Sequence, residues 1–338
     1  MPTILVQGAI AVSRLAMMRR HAPDGWSVTT FDPGMDDPAN FPALAAAADV
    51  IVGGAPPAPW PDMDLPNLKL FQIPWAGFDF TAPERMPANV PVANCYEHEA
   101  PMAEYVMLAM LEWQIKLRKL DADFRREGWG GYPTGQGPSH GEVQGKTIGI
   151  VGWGHIAKEV ATGAKAFGMR VIAVRRSDAP CPHELDWMGQ TADLDRMLSE
   201  SDFVLIACDM NDQTRGMIDA GRLALMKPDG VIINVSRGGI IDEDALFEAL
   251  TACTIGGAVI DTWYNYGDGT WPCNRPFQDL DNAIVTAHRS ALTEAMHDRR
   301  WQFVAANAAR AVAGEPIENI VFTGVGGPAS TGPKGDIG

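Results

Sequence analysis

Two glycines and an alanine mark the place in this sequence where a phosphate-bearing ligand could bind. The stretch TIGIVGWGHIAKEVA has Gly152, Gly154 and Ala157 at the three small-residue positions of a G-x-G-x-x-G/A turn, between a strand pattern and a helix pattern. The first glycine permits the bend, the second lets backbone approach a pyrophosphate, and N–H groups at the helix start bind the anion. The sequence therefore predicts a dinucleotide site that includes Gly152, Gly154, His155 and Ile156.

The end of the next predicted strand bears on which dinucleotide binds. An NAD site usually has an acidic side chain here to bind the ribose hydroxyls, whereas this sequence reads VIAVRRS and has Arg175, Arg176 and Ser177. Guanidinium groups suit a 2′-phosphate, so the sequence predicts NADP(H) as the preferred cofactor, with NAD(H) as the alternative. Two other interpretations stay open: the arginines are solvated surface charges, or Asp178 takes the acidic role.

A second motif, further along the chain, is more specific. Residues Asn234–Leu246 read NVSRGGIIDEDAL, which resembles the signature of the D-isomer-specific 2-hydroxyacid dehydrogenases, where Asn-x-(Ser/Ala)-Arg-Gly leads into an acidic helix start. The order of the other motifs is similar too: a glycine turn, a loop at Cys208–Gly216, the arginine, GAVID ending at Asp261 and TAH ending at His288. The resemblance covers almost the whole chain.

The resemblance implies a role for each matching residue. Arg237 would bind the carboxylate and the 2-oxo oxygen of a small carboxylate substrate, and His288 would be the acid/base. Backbone groups at Ala76 and Gly77, next to Trp75, would bind the substrate carboxylate from the other domain. The remaining residues implied to contact the cofactor are Cys208, Val235, Ser236 and, on the nicotinamide side, Asp261.

One position departs from the family pattern. Family members usually carry a Glu five residues after the Asp of this motif, hydrogen-bonded to the catalytic His, and here Tyr266 stands at that place. Three interpretations are open: the Tyr266 hydroxyl orients His288, another acid such as Asp268 or Glu294 reaches the imidazole, or the dyad is absent and the activity is weak or altered. Since a neutral partner leaves the pKa of an imidazole lower than an ionised one would, we expect reductase activity to fall at lower pH than in relatives with Glu.

Together these motifs predict an oxidoreductase that transfers a hydride between NADP(H) and a 2-oxo acid or D-2-hydroxy acid. Candidate substrates are glyoxylate, hydroxypyruvate or a bulkier 2-oxo acid. A dehydrogenase of the phosphite or formate type is the enzymatic alternative, and a non-catalytic nucleotide-sensing protein of the same fold is the alternative from another class. The adjacent residues from Tyr96 to Glu99 lack the spacing of metal ligands, so no metal is predicted.

The elements that must position these residues alternate between short β-type runs and helical patterns, which is typical of parallel sheets covered on both faces. The predicted fold class is α/β, with two doubly wound parallel-sheet domains. The resemblance implies a Rossmann cofactor domain at 101–289, inserted into a flavodoxin-like substrate domain formed by 1–100 and 290–338. The strand candidates are Ile4–Val6, Ser27–Phe31, Asp49–Val52, Leu68–Gln72, Val90–Ala93, Thr147–Val151, Arg170–Val174, Phe203–Ala207, Val231–Val235, Gly257–Asp261 and Ala283–Thr286.

A single long helix is predicted between the two sets of strands. Residues Ala100–Leu120 are apolar on nearly every side, which indicates a helix buried all round, either as an interdomain strut or as a subunit interface. With the family precedent, this helix predicts a homodimer. The Gly-, Pro- and Ser-rich stretch Gly128–Gly141 is predicted to be a loop, and Thr323–Gly338 a poorly ordered tail.

Composition sets the remaining limits. The 338 residues carry a formal net charge of -15, which argues against nucleic acid or an anionic membrane as a partner because both need clustered Lys and Arg. Five cysteines, an odd number without a CxxC motif, indicate reduced thiols and a cytoplasmic location. The N-terminal apolar run lacks a basic n-region and is predicted to be the first strand, and no apolar run is long enough to span a membrane.

Overall fold

The computed structural model describes residues 1–55, 63–78, 81–130, 136–266 and 271–325. The contacts along the chain form two compact units. Unit 1 combines Met1–Glu97 with Thr293–Gly338, and unit 2 is His98–Leu292. Both ends of the chain therefore belong to the same unit.

The strands are β1 (Thr3–Gln7), β2 (Ser27–Phe31), β3 (Val50–Gly53), β4 (Leu70–Gln72), β5 (Pro91–Ala93), β6 (Thr147–Val151), β7 (Arg170–Arg175), β8 (Trp187–Gln190), β9 (Phe203–Ile206), β10 (Val231–Asn234), β11 (Gly257–Ile260), β12 (Ala283–Val285) and β13 (Ile320–Thr323). The α-helices are α1 (Ala9–Val12), α2 (Leu15–His21), α3 (Phe41–Ala47), α4 (Glu99–Ile115), α5 (Leu117–Glu127), α6 (His155–Ala166), α7 (Leu194–Glu200), α8 (Ala220–Leu223), α9 (Glu243–Thr251) and α10 (Glu294–Ala313).

The sheet of unit 1 has the order β2-β1-β3-β4-β5-β13. Strands β1 to β5 are parallel, and β13 pairs with β5 in the antiparallel sense. Because successive side chains of a strand point to opposite faces, Ile4 packs in one core with Trp301 of α10, and Leu5 packs in another with Phe71. The strand order 2-1-3-4-5 is that of flavodoxin-like sheets, in which ligands bind outside the carboxyl ends of the strands.

The sheet of unit 2 is parallel throughout, with the order β8-β7-β6-β9-β10-β11-β12. The order reverses between β6 and β9, and this switch point is where Rossmann sheets bind dinucleotides. Helix α4 packs on α6, and Gly163 of α6 allows the close approach because a Cβ there would lie 3.1 Å from Met107. The predicted fold class, α/β with two doubly wound parallel sheets, is confirmed.

The long helix differs from its prediction. It breaks at Lys116, which adopts a left-handed conformation (φ 55°) and separates α4 from α5. Helix α4 has a buried face, but its Leu108 is 65% exposed, so this helix is not buried on every side within the single chain. Its role at a subunit interface stays a prediction. Helix α5 has no buried residue at all. Among the described helices, none combines the length and apolar character needed to cross a membrane.

Two strands were not predicted from the sequence, β8 and β13. Both are short, both lie at a sheet edge, and neither is fully buried. Strand β8 reads WMGQ and has no continuous apolar run, whereas β13 reads IVFT and is apolar but only partly buried. The predicted loop at 128–141 has no helix or strand in its described part, and 131–135 lie outside the described residues. The predicted tail also lies outside them from residue 326 onward.

Candidate active site

The glycine turn between β6 and α6 has the geometry that a diphosphate needs. Gly152 has a φ of +98°, and a Cβ there would lie 2.8 Å from the backbone oxygen of Ala207, so a larger residue does not fit. At Gly154, in contrast, a Cβ would meet no heavy atom within 4 Å. No side chain caps the start of α6 at His155, and the small Ala157 is fully buried. The open space, the N–H groups of the first turn and the helix dipole all fit a bound diphosphate.

The two predicted phosphate-binding arginines lie at the end of β7, the strand beside β6. Arg175 Nε donates to the backbone oxygen of Ser177 at 2.9 Å, while Arg176 and Ser177 are exposed. Asp178, the acidic alternative, is exposed as well. Ile156, in the first turn of α6, is partly buried and packs against the core of unit 2. The structure therefore brings the two arginines and the glycine turn to the carboxyl ends of adjacent strands.

The loop after β10 is held in shape by Asn234. Its Nδ2 donates to the backbone oxygen of Arg237 at 2.9 Å, and its Oδ1 accepts the N–H of Ser236 at 3.1 Å. The Ser236 hydroxyl donates to the carbonyl of Cys208, which follows β9. Val235, between Asn234 and Ser236, is buried. Burial raises the pKa of the Cys208 thiol to about 11. This cysteine is therefore a neutral neighbour of the loop and not a thiolate.

Arg237 is half-buried in extended backbone (φ −141°, ψ 135°), and its guanidinium donates to the Ser236 carbonyl at 2.9 Å. The next residue must be small, because a Cβ at Gly238 would lie 2.3 Å from the backbone oxygen of Trp263. This close approach packs the arginine loop against the loop after β11. The positive charge of Arg237 lowers the pKa of both Tyr266 and His288, so its guanidinium lies within electrostatic range of these two side chains.

His288 lies just beyond β12 in a left-handed backbone conformation (φ 52°), which is uncommon outside glycine. Its N–H donates to the backbone oxygen of Asp261 at 2.9 Å. Burial lowers the pKa of the imidazole; the carboxylate of Asp261 raises it and the guanidinium of Arg237 lowers it, and the net effect is a pKa below the ordinary value. The imidazole is therefore mostly neutral at pH 7.

Asp261 holds the histidine loop through its carboxylate. One oxygen accepts the hydroxyl of Thr286 at 2.5 Å and the N–H of Arg289 at 2.7 Å, and the other accepts the N–H of Ser290 at 2.9 Å. Burial raises the pKa of this carboxyl, but the hydrogen bonds from Ser290 and Thr286 lower it more, so it stays ionised. Asp261 is fully buried, and its carboxylate holds the loop that carries His288. Its contact on the nicotinamide side stays a prediction.

Further polar residues complete this cluster, and the sequence analysis assigned them no role. The hydroxyls of Tyr105, on α4, and Thr286 share a hydrogen bond of 2.7 Å, and Trp263 Nε1 donates to the Thr286 carbonyl at 2.8 Å. Burial raises the pKa of Tyr105, so it remains a neutral phenol. The sequence feature that could have indicated this cluster is Thr286, a polar residue directly after a strand and two positions before His288.

Tyr266 contacts His288 by its ring and not by its hydroxyl. The two ring centroids lie 5.6 Å apart at an interplanar angle of 63°. The Tyr266 oxygen accepts the backbone N–H of Trp263 at 3.0 Å. The interpretation in which the hydroxyl orients the imidazole is therefore not the arrangement found here. Burial raises the pKa of Tyr266, so the partner of the imidazole in the position of the family Glu is uncharged.

The alternative acids have different positions. Asp268 lies outside the described residues. Glu294 belongs to unit 1, where its carboxylate pairs with Arg14 at 3.4 Å. Among the described residues, the acid whose charge raises the pKa of His288 is Asp261. Among the described residues, no group of three or more His, Cys, Asp or Glu side chains is arranged to hold a metal ion.

The predicted substrate-binding backbone lies in unit 1, directly after β4. The carbonyl of Trp75 accepts the N–H of Cys95 at 3.1 Å, and the carbonyl of Ala76 accepts Nδ2 of Asn94 at 2.8 Å. Within the described part of the chain, the N–H groups of Ala76 and Gly77 have no hydrogen-bond acceptor. Two neighbouring N–H donors of this kind form a small site for an anion.

Comparison with known proteins adds an independent line of support. A family model described as the NAD binding domain of D-isomer specific 2-hydroxyacid dehydrogenase matches residues 107–290. The chain is 30% identical over 253 residues to the hydroxypyruvate reductase of Thermotoga maritima, which covers 74% of this chain and 76% of that protein. A solved NADPH-dependent glyoxylate/hydroxypyruvate reductase from Sinorhizobium meliloti, in complex with NADP and sulfate, has a TM-score of 0.74 and 26% identity, covering 95% and 98% of the two chains.

Longer relatives match as well. The D-3-phosphoglycerate dehydrogenase of Methanocaldococcus jannaschii is 36% identical over 183 residues, which are 53% of this chain and 34% of that protein. The chain spans between about a third and three fifths of the length of the curated D-3-phosphoglycerate dehydrogenases it matches. The family model covers more than half of the chain, and the shared glycine turn, arginine loop and histidine loop all fall within it. The chain belongs to the D-isomer-specific 2-hydroxyacid dehydrogenase family.

Proposed function

We propose that this chain is an oxidoreductase that transfers a hydride between NADP(H) and a 2-oxo acid or D-2-hydroxy acid. The observation that carries the proposal is the cluster of Arg237 and His288 at the carboxyl ends of β10 and β12, on the same sheet as the glycine turn. Glyoxylate and hydroxypyruvate are the first candidate substrates, supported by the names of the Thermotoga and Sinorhizobium relatives. A bulkier 2-oxo acid is the next candidate.

The cofactor would be held by residues at the switch point of unit 2. The turn at Gly152 and Gly154, with the N–H groups at the start of α6, would bind the pyrophosphate. The 2′-phosphate of NADP(H) would lie against Arg175, Arg176 and Ser177, and Cys208, Val235 and Ser236 would line the rest of the site. When bound, the nicotinamide supplies the hydride in reduction and accepts it in oxidation.

Arg237 would bind the substrate and polarise it. A guanidinium has parallel N–H donors in a fixed plane, so it can contact a carboxylate and the neighbouring 2-oxo oxygen at once. The loop around Asn234 holds the backbone of this arginine in place, which reduces the reorganisation needed when substrate binds. Its positive charge stabilises the negative charge that develops on the 2-oxo oxygen during reduction.

His288 would move the proton. In reduction it donates a proton to the oxygen that becomes the hydroxyl, and in oxidation it removes that proton. Because burial lowers the pKa of the imidazole, the neutral form that oxidation needs predominates at pH 7. Reduction needs the protonated form, so its rate should rise as the pH falls toward the pKa of His288.

The loop after β4 of unit 1 would bind the substrate carboxylate through the backbone N–H groups of Ala76 and Gly77. Trp75 beside them would be part of the same site. Its ring packs against Gly54, where a Cβ would lie 3.1 Å from the indole. The anchored carbonyls and the unpartnered N–H groups of this loop, within the described residues, support this proposal.

The direct test follows NADPH absorbance, with NADPH supplied to glyoxylate, hydroxypyruvate and an arylpyruvate as hydride acceptors, and NADP⁺ supplied to phosphite and formate as hydride donors. We expect turnover with a 2-oxo acid that is lost in an Arg237→Ala variant. Turnover of phosphite or formate without turnover of any 2-oxo acid would instead indicate a dehydrogenase of the phosphite or formate type. Tight NADPH binding without turnover of any panel member would instead support a nucleotide-sensing protein.

The preference for NADP(H) has its own test. Isothermal titration should show tighter binding of NADPH than of NADH. In an Arg175→Ala, Arg176→Ala double variant the affinity for NADPH should fall about 10- to 100-fold, as expected when charge-assisted contacts to a phosphate are removed, while the affinity for NADH changes little. Tighter binding of NADH by the unmodified protein would contradict the proposal.

We further propose a homodimer and a cytoplasmic location. In support of the dimer, Leu117, Leu120 and Phe124 form an apolar stripe along α5 and are all exposed. Light scattering after size exclusion would measure the assembly, and a monomer would contradict the dimer. In support of the location, all five cysteines are free thiols.

A further inference from the structure

Two backbone carbonyls of the loop after β4 are tied to the segment that follows β5. The N–H of Cys95 donates to the Trp75 carbonyl at 3.1 Å, and Nδ2 of Asn94 donates to the Ala76 carbonyl at 2.8 Å. Both carbonyls therefore point toward residues 94 and 95. The second of these bonds comes from a side chain, so a single substitution can remove it.

The direction of these carbonyls determines the direction of the next N–H groups. In a trans peptide the C=O and the following N–H lie in one plane and point opposite ways. The N–H groups of Ala76 and Gly77 must therefore point away from Asn94. Since both N–H groups lack an acceptor within the described residues, the loop presents two adjacent donors on one side.

Asn94 is itself held on several sides. Its N–H donates to the Asn319 carbonyl at 3.1 Å, and its own carbonyl accepts Nε2 of Gln72 at 3.0 Å. The side-chain oxygen of Gln72 accepts Nδ2 of Asn307 at 2.7 Å. All three side chains of this amide network are almost completely buried. The donor that anchors Ala76 is thus fixed in position before any ligand binds.

Stability alone does not explain an asparagine at position 94. Its Oδ1 is buried and has no hydrogen-bond partner among the described residues. A buried polar atom without a partner is unfavourable, and this offsets much of what the bond to Ala76 contributes. The contribution that remains is geometric, namely the orientation of the peptide between Ala76 and Gly77.

We propose that Asn94 is a positioning residue that orients the N–H of Gly77, beside the N–H of Ala76, toward the substrate carboxylate. This inference rests on the proposed function, because it needs the loop to bind the carboxylate. Asn94 touches neither substrate nor cofactor in this scheme. Its neutral amide also keeps negative charge away from the place where an anion binds.

Steady-state kinetics with glyoxylate and NADPH tests the proposal in Asn94→Ala and in the nearly isosteric Asn94→Asp. We expect KM for glyoxylate to rise about 10-fold or more, with more in Asn94→Asp because a carboxylate repels the Ala76 carbonyl. The KM for NADPH and kcat should change by less than about threefold. The matched control is Asn67→Ala, because Asn67 Nδ2 also donates to a backbone carbonyl, that of Ala46 at 3.2 Å, but on the surface of unit 1.

A binding measurement separates this inference from the proposed reaction. Oxalate, which carries carboxylates but cannot be reduced here, is titrated into isotope-labelled protein while the backbone amide resonances of Ala76 and Gly77 are followed. Both should shift in the unmodified protein and in Asn67→Ala, whereas the shift of Gly77 should be lost in Asn94→Asp. Glyoxylate turnover with an unchanged KM in both Asn94 variants overturns the inference and leaves the function standing. Shifts that depend on Asn94 without any turnover support the inference and refute the function.

Discussion

Two loops at the carboxyl ends of parallel strands are held in place in different ways. The loop after β4 in unit 1 offers backbone N–H groups and is anchored by the neutral amide of Asn94. The loop after β12 in unit 2 offers the imidazole of His288 and is anchored by the ionised carboxylate of Asp261. Both anchors are buried. Both carboxylate oxygens of Asp261 accept hydrogen bonds, whereas the amide oxygen of Asn94 has no partner among the described residues.

The difference between a neutral and a negative anchor fits the charge proposed at each loop, which is an anionic substrate group at one and a protonated imidazole at the other. A negative anchor beside an anion site would repel the ligand, so a neutral amide suits the loop with Ala76 and Gly77. A negative anchor beside an imidazole favours its protonated form and opposes the effect of burial on its pKa. The two anchors therefore match the roles proposed for their loops, one to bind an anion and one to hold a proton.

The largest expected effect comes from removing Arg237, the proposed substrate-binding cation of unit 2. Replacing it by Ala removes both carboxylate binding and polarisation of the carbonyl, so kcat/KM for glyoxylate should fall about 10⁴-fold. Arg237→Lys should recover only part of the loss, since an ammonium lacks the fork geometry. The control is Arg20→Ala, an exposed arginine paired with Asp298 in unit 1. A loss below about tenfold would show that this arginine is not the substrate cation.

Removing the imidazole should have the next largest effect. In His288→Asn, which tolerates the left-handed backbone, kcat for glyoxylate reduction should fall about 10³-fold because no group donates the proton. The affinity for NADPH, measured by titration, should change little. A variant that retained the activity of the unmodified protein would assign the proton to another group.

Asp261→Asn converts the anchor of the histidine loop into the neutral kind found in unit 1. Reduction needs protonated His288, so activity is full below the pKa of the imidazole and falls as the pH rises through it. The Asp261 charge raises that pKa, and its loss should move the fall in activity to lower pH. An amide also puts a donor against the loop N–H groups, which destabilises the fold by about 1–3 kcal/mol. An unchanged pH profile would show that the carboxylate is only structural.

The smallest effect is expected at Tyr266. Tyr266→Phe keeps the ring against His288 and loses the acceptor for the Trp263 N–H, so stability should fall by about 1 kcal/mol with little change in kcat. Tyr266→Glu introduces a negative charge beside the imidazole, raises its pKa and should move the fall in reductase activity to higher pH. The two variants are compared through their pH–rate profiles. Identical profiles would mean that residue 266 has no electrostatic influence on the imidazole.

Much of the fold could be predicted from the sequence, because buried parallel strands are continuous apolar runs. Strands such as β6, which is buried over its whole length, begin and end where the pattern predicted. The edge strand β8 reads WMGQ and lacks that pattern, since a half-exposed edge needs no continuous apolar run, whereas the apolar run IVFT of β13 was not recognised as a strand. The break at Lys116 also has no local signal, because neither glycine nor proline marks it.

The candidate site was predictable where a residue type carries the chemistry itself. A guanidinium, an imidazole and a glycine turn can be recognised one by one, and their places at the carboxyl ends of β10, β12 and β6 in one parallel sheet follow from the α/β pattern. The anchors were not predictable in the same way. Whether Asp261 faces a cofactor or a loop, and whether Asn94 reaches Ala76, depends on side-chain directions that spacing does not determine.

The left-handed backbone at His288 restricts which residues can occupy that position. Glycine, asparagine, aspartate and histidine accept this conformation readily, whereas valine, isoleucine and threonine essentially never do. A saturation library at codon 288, sorted only for folded protein, should therefore be depleted of β-branched residues before any catalytic selection is applied. If neutral mutation replaced His288 during evolution, asparagine or aspartate would therefore be retained more readily than a bulky hydrophobic residue.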